Sequence, residues 1–456
     1  MGTVGINFGA ASSGQGFDVA STVTAILASD QAIETPWQTQ LTALQAQDTV
    51  FTTLGTDLST LTTAMQSLTD FSGVMAEKQG SSSDTNVLAL TAASTAAVAG
   101  SHTVLVSQLA QTSSDYSDAV ANAADTLSGS LTIQVGSGTS QTITVDSNSN
   151  TLASLASAIN SANIGVNASV ISDVSGSRLS LVSGTSGTAG QLTISGALSD
   201  ATTSTAIGFA TGQSGQNASL TVDGLAINSG SNTVTTAIPG VTFQLLSVSA
   251  SPIQVQITND TSDVATAVSS VVSAYNAVIK DINGQEGNDS SGNAEPLFGS
   301  PTLALLQSQL SSALVGGKAS GSISSITQIG IGFNQDGTLT LDGDTLNNVL
   351  NSDFSDVTGF LQNSGSFGQS FVTTLNNLGT QAPNGAIYLA QQQNSAQEAA
   401  FNLSISNEEA TLATEKTNLT TELNTANQVL QSIPSQLSEM NELYSAVTGY
   451  NTGNGG

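Results

Sequence analysis

Residues 405–447 read ISNEEATLATEKTNLTTELNTANQVLQSIPSQLSEMNELYSAV, and their spacing decides the fold. Ile405, Leu412, Leu419, Ala426, Ile433, Met440 and Val447 recur every seventh residue. Leu423, Leu430, Leu437 and Tyr444 form a companion row, whose earlier positions hold Glu409 and Lys416. Apolar residues alternating three and four apart mark a coiled-coil seam, in which helices underwind slightly so that the apolar edge keeps facing its partner. Charged residues in a seam lower stability and fix register. Pro434 lacks the N–H that the helix ladder uses, so a kink is expected there. From Thr448 on the chain is rich in Gly and Asn and is expected to fray in isolation.

The other end of the chain carries a matching pattern. Trp37, Leu44, Phe51, Leu58 and Met65 fall every seven residues, with Leu54, Leu61 and Leu68 as the second row. A helix of an ordinary bundle is the alternative, with a broader apolar face. Val19, Val23, Ile26 and Ile33 continue a stripe upstream. Pro36 either interrupts this helix or sits at the first position of a new one capped by Thr35. A single helix cannot bury its own stripe. The two ends are therefore expected to pair with each other, or with copies in other subunits, placing a rod at the joined termini.

Between them the periodicity falls to two. Leu88–Leu90 and Thr103–Val106 alternate, and Leu131-Ile133-Val135 with Ile143-Val145 predicts a hairpin. Leu152, Leu155, Ala156 and Ile159 have helical spacing, and Val166–Ile171 and Arg178–Val182 return to strand spacing around a Gly176 turn. A second strand group follows at Leu220-Val222, Ala226–Ile227, Val241-Phe243-Leu245 and Ile253-Val255-Ile257, with Asp223-Gly224 as a tight turn. The glycine-rich stretch 208–215 is expected to separate the two groups. Helices are expected over Asp263–Ile282 and Leu303–Leu314, and a hairpin turn at Asp336-Gly337. The fold class is α+β: long antiparallel terminal helices forming a coiled-coil leg, with inserted strand-rich head subdomains.

Composition narrows the function. The chain has 456 residues, 5 Lys+Arg against 33 Asp+Glu, a formal charge of −28, no Cys and one His. Phosphate-backbone binding needs clustered cations, so nucleic acid is a poor partner, and so is an anionic membrane surface. No window reaches the ~20 apolar residues of a membrane helix. Without Cys there is no disulfide, thiolate nucleophile or Cys-based zinc site. The start of the chain shows no cationic and apolar leader of the secretory type, while few Lys, no Cys and many small hydroxyl residues suit an exported protein. Both fit export by a route that cleaves no signal.

Motifs for chemistry fail one by one. Asn334-Gln335-Asp336-Gly337 resembles part of a calcium loop, but Gly332 and Gly343 stand where its acidic ligands belong. Asp342 and Asp344 could hold a cation only weakly. Gly316-Gly317-Lys318 lacks the first Gly and the final hydroxyl of a phosphate loop, with Ser312 and Ala319 in their places. Gly184, Gly187 and Gly190 lack dinucleotide spacing. His102 leads into a strand and reads as a surface residue. Glu408-Glu409 and Asp353/Asp356 are chance pairs in an acid-rich chain. No reaction centre emerges: the expectation is no enzyme, no cofactor, no metal, and a function in association.

The order of motifs along the chain resembles the flagellar filament cap family (hook-associated protein 2). Gly16-Phe17-Asp18-Val19 is similar to its opening, Ser101–Gln111 to its first strand, and Ala158-Ile159-Asn160 with Ser177-Arg178-Leu179 to the insertion motif shared with flagellins. Ser219–Gly224 through Ile238–Phe243 resembles a hook-protein insertion motif. Ala274-Tyr275-Asn276, Ile329-Gly330-Ile331, Asp336-Gly337-Thr338-Leu339 and the final heptads through Gln436–Asn441 resemble its C-terminal half. Pro434 and the tail after Tyr450 depart from the family pattern.

The resemblance implies a domain order: a leg over 1–75, core over 76–110 and 258–385, head subdomains over 111–200 and 201–257, and a C-terminal leg with tail over 386–456. It implies a homo-oligomeric ring, expected to be a pentamer, at the distal tip of the extracellular filament. That ring would retain flagellin and promote its folding and polymerisation. Passing partners would be the flagellar export apparatus and its chaperone. The assembly residues would be the rows named above, Trp37 to Leu68 and Ile405 to Tyr444. The alternatives are another axial protein, flagellin or a hook–filament junction protein, which would grow open filaments rather than a closed ring, and a fibre-tip adhesin. The adhesin needs stacked aromatics in a groove, but aromatics are 4% of the chain and do not cluster.

Overall fold

Asp18 starts the first helix. Its carboxylate accepts the N–H groups of Ala20 (3.0 Å) and Ser21 (3.3 Å), donors that a first turn leaves open. Helix α1 covers Val19–Gln31 and, after a break at Ala32 and Ile33, α2 covers Glu34–Thr69. The break falls ahead of Pro36, which sits inside the first turn of α2, where a missing N–H removes no ladder bond. Thr35 is already helical there and does not cap. The computed structural model describes residues 16–449; the start of the chain before Gly16 and the tail from Tyr450 lie outside the described residues.

Two units form. One contains the chain up to Ser67 and again from Ala267; the other contains Leu68–Thr266. The first is helical. After α2 it holds α4 (Thr261–Gly284) from Ala267 on, α5 (Pro301–Leu314), a hairpin of β17 (Ile331–Phe333) with β18 (Leu339–Leu341), α6 (Gly343–Ser352), α7 (Phe354–Gln362), α8 (Phe367–Leu378) and α9 (Ala386–Thr448). Helix α9 has 63 residues and passes unbroken through Pro434. Phe360, Phe367 and Phe371 stack in series, at 5.2 and 5.5 Å between ring centres, and join α7 to α8. Tyr275 on α4 is buried, which pushes its phenol up to about 12. Its neighbour Asn276 reaches across to the hairpin. Asn276 Oδ1 accepts the Leu339 N–H (2.6 Å) and its Nδ2 donates to the Leu339 carbonyl (2.8 Å). About two turns further on, Asn283 Nδ2 donates to the Asp336 carbonyl (2.9 Å).

The second unit is two strand sandwiches, one set inside the other. Strands β1 (Lys78–Ser82), β16 (Ile253–Asn259), β3 (Gly100–Gln108), β12 (Ala218–Val222) and β13 (Leu225–Ser229) make an antiparallel sheet in that order. It packs with the sheet of β14 (Thr233–Val234), β15 (Val241–Leu245) and β2 (Leu88–Ala93) around Leu88, Val104, Leu220, Phe243 and Val255. The chain between β3 and β12 forms the inner sandwich. Its sheets are β10 (Thr205–Ile207), β9 (Leu192–Asp200), β5 (Leu127–Val135), β6 (Gln141–Thr144), and β11 (Phe209–Gln213), β4 (Thr112–Ser117), β8 (Gly176–Ser186), β7 (Val166–Asp173). Helix α3 (Leu152–Ser161) puts Leu152, Leu155 and Ile159 into their shared core.

This nesting corrects two expectations. Residues 76–110 were assigned to the core with 258–385, but β3 pairs with β12 and β16, so this stretch folds with the outer sandwich. The stretch 208–215 was assigned as a separator, but Phe209–Gln213 is a strand paired with β4. The inner sandwich therefore runs past residue 200. Small residues suit an edge strand whose outer face carries little.

The helices solve the shortage of charge in their own way. Along α2 the hydroxyls of Thr39, Thr42, Thr49, Thr52, Thr56, Thr60 and Thr63 each donate to the carbonyl one turn back. Thr411, Thr414, Thr417, Thr421 and Thr425 do the same on α9. Threonine is a poor helix former, so these helices depend on burying their apolar faces.

Candidate assembly surfaces

The terminal helices pair antiparallel. Val23 and Leu27 of α1 pack with Leu412 of α9, flanked by Val19, Leu419 and Leu423. Direction is fixed by hydrogen bonds at both ends. Asn394 Nδ2 donates to Asp48 Oδ1 (2.9 Å), Gln391 Nε2 to Thr52 Oγ1 (3.3 Å), and the Phe17 N–H to Asn427 Oδ1 (3.0 Å). As the index rises on one helix it falls on the other.

The heptad residues divide into three groups. Leu44, Phe51, Leu54, Leu58, Leu61, Met65 and Leu68 are buried, while Trp37 is half-buried. Leu58 lines a small cleft with Leu375 of α8, and a side chain at Gly55 would meet Thr380 and Ile387, so α2 lies against the α8–α9 corner. Leu412 is buried under α1; Ile405, Leu419, Leu423, Leu430 and Ile433 are half-buried. Leu437, Met440 and Tyr444 are exposed.

The residues weighed for chemistry are occupied structurally. Asp336 accepts the Thr338 N–H (3.0 Å) and hydroxyl (2.6 Å), and these bonds hold its carboxyl below the usual range. Asp342 caps α6 through the N–H groups of Asp344 and Thr345. Asp356 accepts the Ser322 N–H (2.8 Å) and hydroxyl (2.9 Å). His102 Nδ1 lies 2.7 Å from Asp223 Oδ2, whose other oxygen accepts the Thr103 N–H (2.8 Å). Asp223 and Gly224 form the β12–β13 turn with φ of +50° and +83°, the left-handed pair that a two-residue hairpin requires. Among the described residues no group of three His, Cys, Asp or Glu could hold a metal, and no helix is long and apolar enough to cross a membrane. A groove of about 400 Å³ among Leu44, Phe51, Phe298 and Asn394 is edged by Gln47, Gln393 and Gln397, with no ionisable side chain in its lining.

The comparisons with known proteins agree with this picture of association. Family models describing the N-terminus and C-terminus of flagellar hook-associated protein 2 match residues 15–113 and 215–448, and a flagellin hook IN motif matches 130–185. Flagellar hook-associated protein 2 of Escherichia coli is 30% identical over 370 residues, 75% of this chain and 78% of the relative. B-type flagellar hook-associated protein 2 of Pseudomonas aeruginosa is 30% identical over 319 residues, 63% of this chain and 67% of the relative. The crystal structure of the D1-D2-D3 domains of the flagellar cap protein FliD from Escherichia coli superposes with a TM-score of 0.57 at 30% identity, covering 76% of this chain and 99% of that one.

The chain belongs to the flagellar hook-associated protein 2 family.

In this family member the residues that carried the resemblance are clips. Asn160 of α3 accepts the Ala168 N–H (2.8 Å) and donates to the Ala168 carbonyl (2.8 Å), as Asn276 does with Leu339. Asn232 does the same with Ala110, at 2.7 and 2.9 Å. Each amide supplies a backbone with the pair of bonds that a neighbouring strand would give. Arg178 donates to the Ser117 carbonyl (3.0 Å) and lies over the Tyr116 ring at 5.8 Å.

Two features went unread in the sequence. Glu34, at the start of α2, is buried, and its Oε1 has no hydrogen-bond partner. A buried acceptor without a partner costs ~1–3 kcal/mol, which outweighs the ~0.3–1 kcal/mol an acid gains in a first helical turn. Glu34→Leu is therefore expected to raise the thermal midpoint of the helical unit, read by circular dichroism; a lowered midpoint would refute this account.

Asp57 of α2 meets Asp281 of α4. Burial first, then the hydrogen bond and charge of Asp281, push its carboxyl up. Glu77 is raised in the same way, by burial and then by Asp263. A carboxyl raised in the folded state holds its proton more tightly there, so its penalty is present at neutral pH and is relieved as pH falls towards the unfolded value of ~4. Asp18, Asp336 and Asp342 are lowered by the hydrogen bonds they accept, so their contribution is present above ~4 and is lost as pH falls through their folded values. Stability is expected to rise as pH falls from neutral towards ~4, and to be lost at lower pH as the lowered carboxyls protonate. Asp57→Asn is expected to raise the midpoint at pH 7 by about 1–2 °C, the size of a repulsion near ~0.5 kcal/mol, and to flatten the rise. An unchanged pH profile in this variant would contradict the assignment.

Proposed function

We propose that this protein caps the distal end of a bacterial flagellar filament. Copies of the chain form a closed homo-oligomer, a pentamer in this reading, which retains exported flagellin and promotes its folding and polymerisation. Helices α1, α2 and α9 make the leg that engages the filament end, with the assembly rows Trp37 to Leu68 on α2 and Ile405 to Tyr444 on α9. The two strand sandwiches are the head, with the inner one carrying the flagellin-type motif. The chain reaches this place through the flagellar export apparatus, escorted by a chaperone. The reading involves no catalytic step, cofactor or metal.

The observation that supports it most is the shared fold, at 30% identity across 76% of this chain, with a protein described as a flagellar cap. Physically, a guiding cap has to hold the growing end and yield to each new subunit. A chain with 8% charged residues makes few ion pairs, and exposed pairs are individually weak. Deleting the gene and assaying the medium tests the proposal. Loss of filaments with soluble flagellin shed outside supports it; unchanged filaments reject it. An axial subunit would instead polymerise into long filaments from the purified chain.

A further inference from the structure

Strand β7 ends the sheet β11-β4-β8-β7, and β8 is its only strand neighbour among the described residues. With 8 residues it is the longest edge strand among them, the others having 2 to 6. Backbone groups along a strand point alternately to its two sides. Two observations fix which residues of β7 point away from β8. Asn160 holds both the N–H and the carbonyl of Ala168, so Ala168 faces outward. Asp173 pairs with Gly176 across the turn of the β7–β8 hairpin, so Asp173 faces β8. Val170 and Ser172 therefore face outward as Ala168 does, each with an N–H and a carbonyl.

Edges are normally blunted by lysine, proline, a bulge or a covering element. The first half of this edge is covered by α3 through the Asn160 clip. The second half has no such device. Residues 170–173 include no Lys or Pro and pair with β8 in unbroken register. Ile171 beside them is 57% exposed, and Val174 at the turn is fully exposed.

We propose that this half-edge takes up an extended, lysine-bearing segment of another polypeptide as an added strand, bonded to the backbone of Val170 and Ser172 with its cation beside Asp173. Charge selects this occupant. Asp173 is the one ionisable residue in 166–177, and Arg178 after it is committed to the Ser117 carbonyl and the Tyr116 ring. A second copy of β7 would bring a second Asp173, on a chain that already carries −28. It would also pair about a two-fold axis, a contact that stops at two copies and builds no ring. A chain not yet folded offers its backbone at any point, whereas a folded domain must present an open edge of its own. Main-chain bonds hold such a strand with little regard to its sequence. The capping reading enters only in naming the source, an exported polypeptide that has not yet folded.

The probe is a fluorescein-labelled Lys-Thr-Val-Thr-Val-Thr-Lys amide, titrated with the full-length protein and followed by anisotropy. Val170→Pro/Ser172→Pro removes only outward N–H groups and leaves the ladder to β8 intact. It is expected to weaken binding at least ~tenfold. Asp173→Asn keeps an acceptor for the Ser175 N–H, which Asp173 Oδ1 holds at 2.7 Å. It is expected to weaken binding about two- to threefold and to remove most of its salt dependence. Hydrogen exchange reads the same edge without a substitution. The Val170 and Ser172 amides are expected to exchange fast in the free protein and to slow when peptide is added, while Ser169 and Ile171 stay slow throughout. Peptide binding that the double proline variant retains, with its fold verified by circular dichroism, would overturn the proposal. Protection of Val170 and Ser172 that rises with protein concentration alone would also overturn it, by assigning the edge to a second copy. No filament enters these assays, so their failure leaves the capping proposal standing; unchanged filaments in the deletion strain would remove the named source and leave the site.

Discussion

With aspartate at both Leu27 and Leu412, α1 comes away from α9 and filament-bearing cells fall to the number seen in the deletion strain. That is the expected result, and its reason is local. The two leucines are buried against each other's helices, with Val23 between the same surfaces. Two like charges forced together in an apolar contact cost several kcal/mol, ~3–5 in comparable cases. The contact they would break is small, so it has no reserve to absorb such a loss. The strand-rich unit Leu68–Thr266 has its own cores and is expected to stay folded. Two measurements check this: helix content by circular dichroism, and filament counts in cells relying on the variant. Normal filaments on cells whose purified variant has lost the pairing would show that the leg is dispensable, and the proposed function would go with it.

The second large effect is expected at Asn276. Its amide holds both backbone groups of Leu339, accepting the N–H at 2.6 Å and donating to the carbonyl at 2.8 Å. Asn276→Ala leaves an N–H and a carbonyl without those bonds, beside a buried Tyr275 and Leu339. Each orphaned group costs ~1–3 kcal/mol, so a loss of ~2–6 kcal/mol in unfolding free energy is expected for the helical unit, read by urea titration. Asn276→Asp should be no better, because it keeps the acceptor but sets a carboxylate against the Leu339 carbonyl. Asn283→Ala removes one bond to Asp336 and should cost only ~1 kcal/mol. Equal losses at the two asparagines would mean that the paired bonds are not what holds the hairpin.

Much of this architecture could be read from spacing. The rows of α9 announce a long helix whatever it packs against, because a period of seven fixes one face. The hairpin at Asp223-Gly224 was legible because few other sequences adopt positive φ twice in succession. Partners were harder to read. Val104 and Val106 alternate as a strand should, but nothing in that alternation says that the next strand over is Leu220–Val222, on the far side of a complete inserted sandwich. Period gives the face of an element and is silent on its neighbour. Helices α6 to α8 were not read because they are short and interrupted by Asp, Ser and Gly; the recurrence of Phe354, Phe360, Phe367 and Phe371 was the available signal. The asparagine clips leave no trace in composition, since a bidentate amide looks like any surface Asn until the backbone it serves is known. Glu34 misleads for the same reason: an acid in a first turn normally faces water.

The threonine hydroxyls turned inward along α2 and α9 have one more consequence. A hydroxyl already donating to its own helix has no proton left to offer, so its methyl group and the lone pairs of its oxygen are what a passing chain meets. An unfolded polypeptide moving along such a surface finds few donors to catch on, and the charges it meets on α2 and α9 are carboxylates apart from Lys416, so it glides where a lysine-studded helix would snag it.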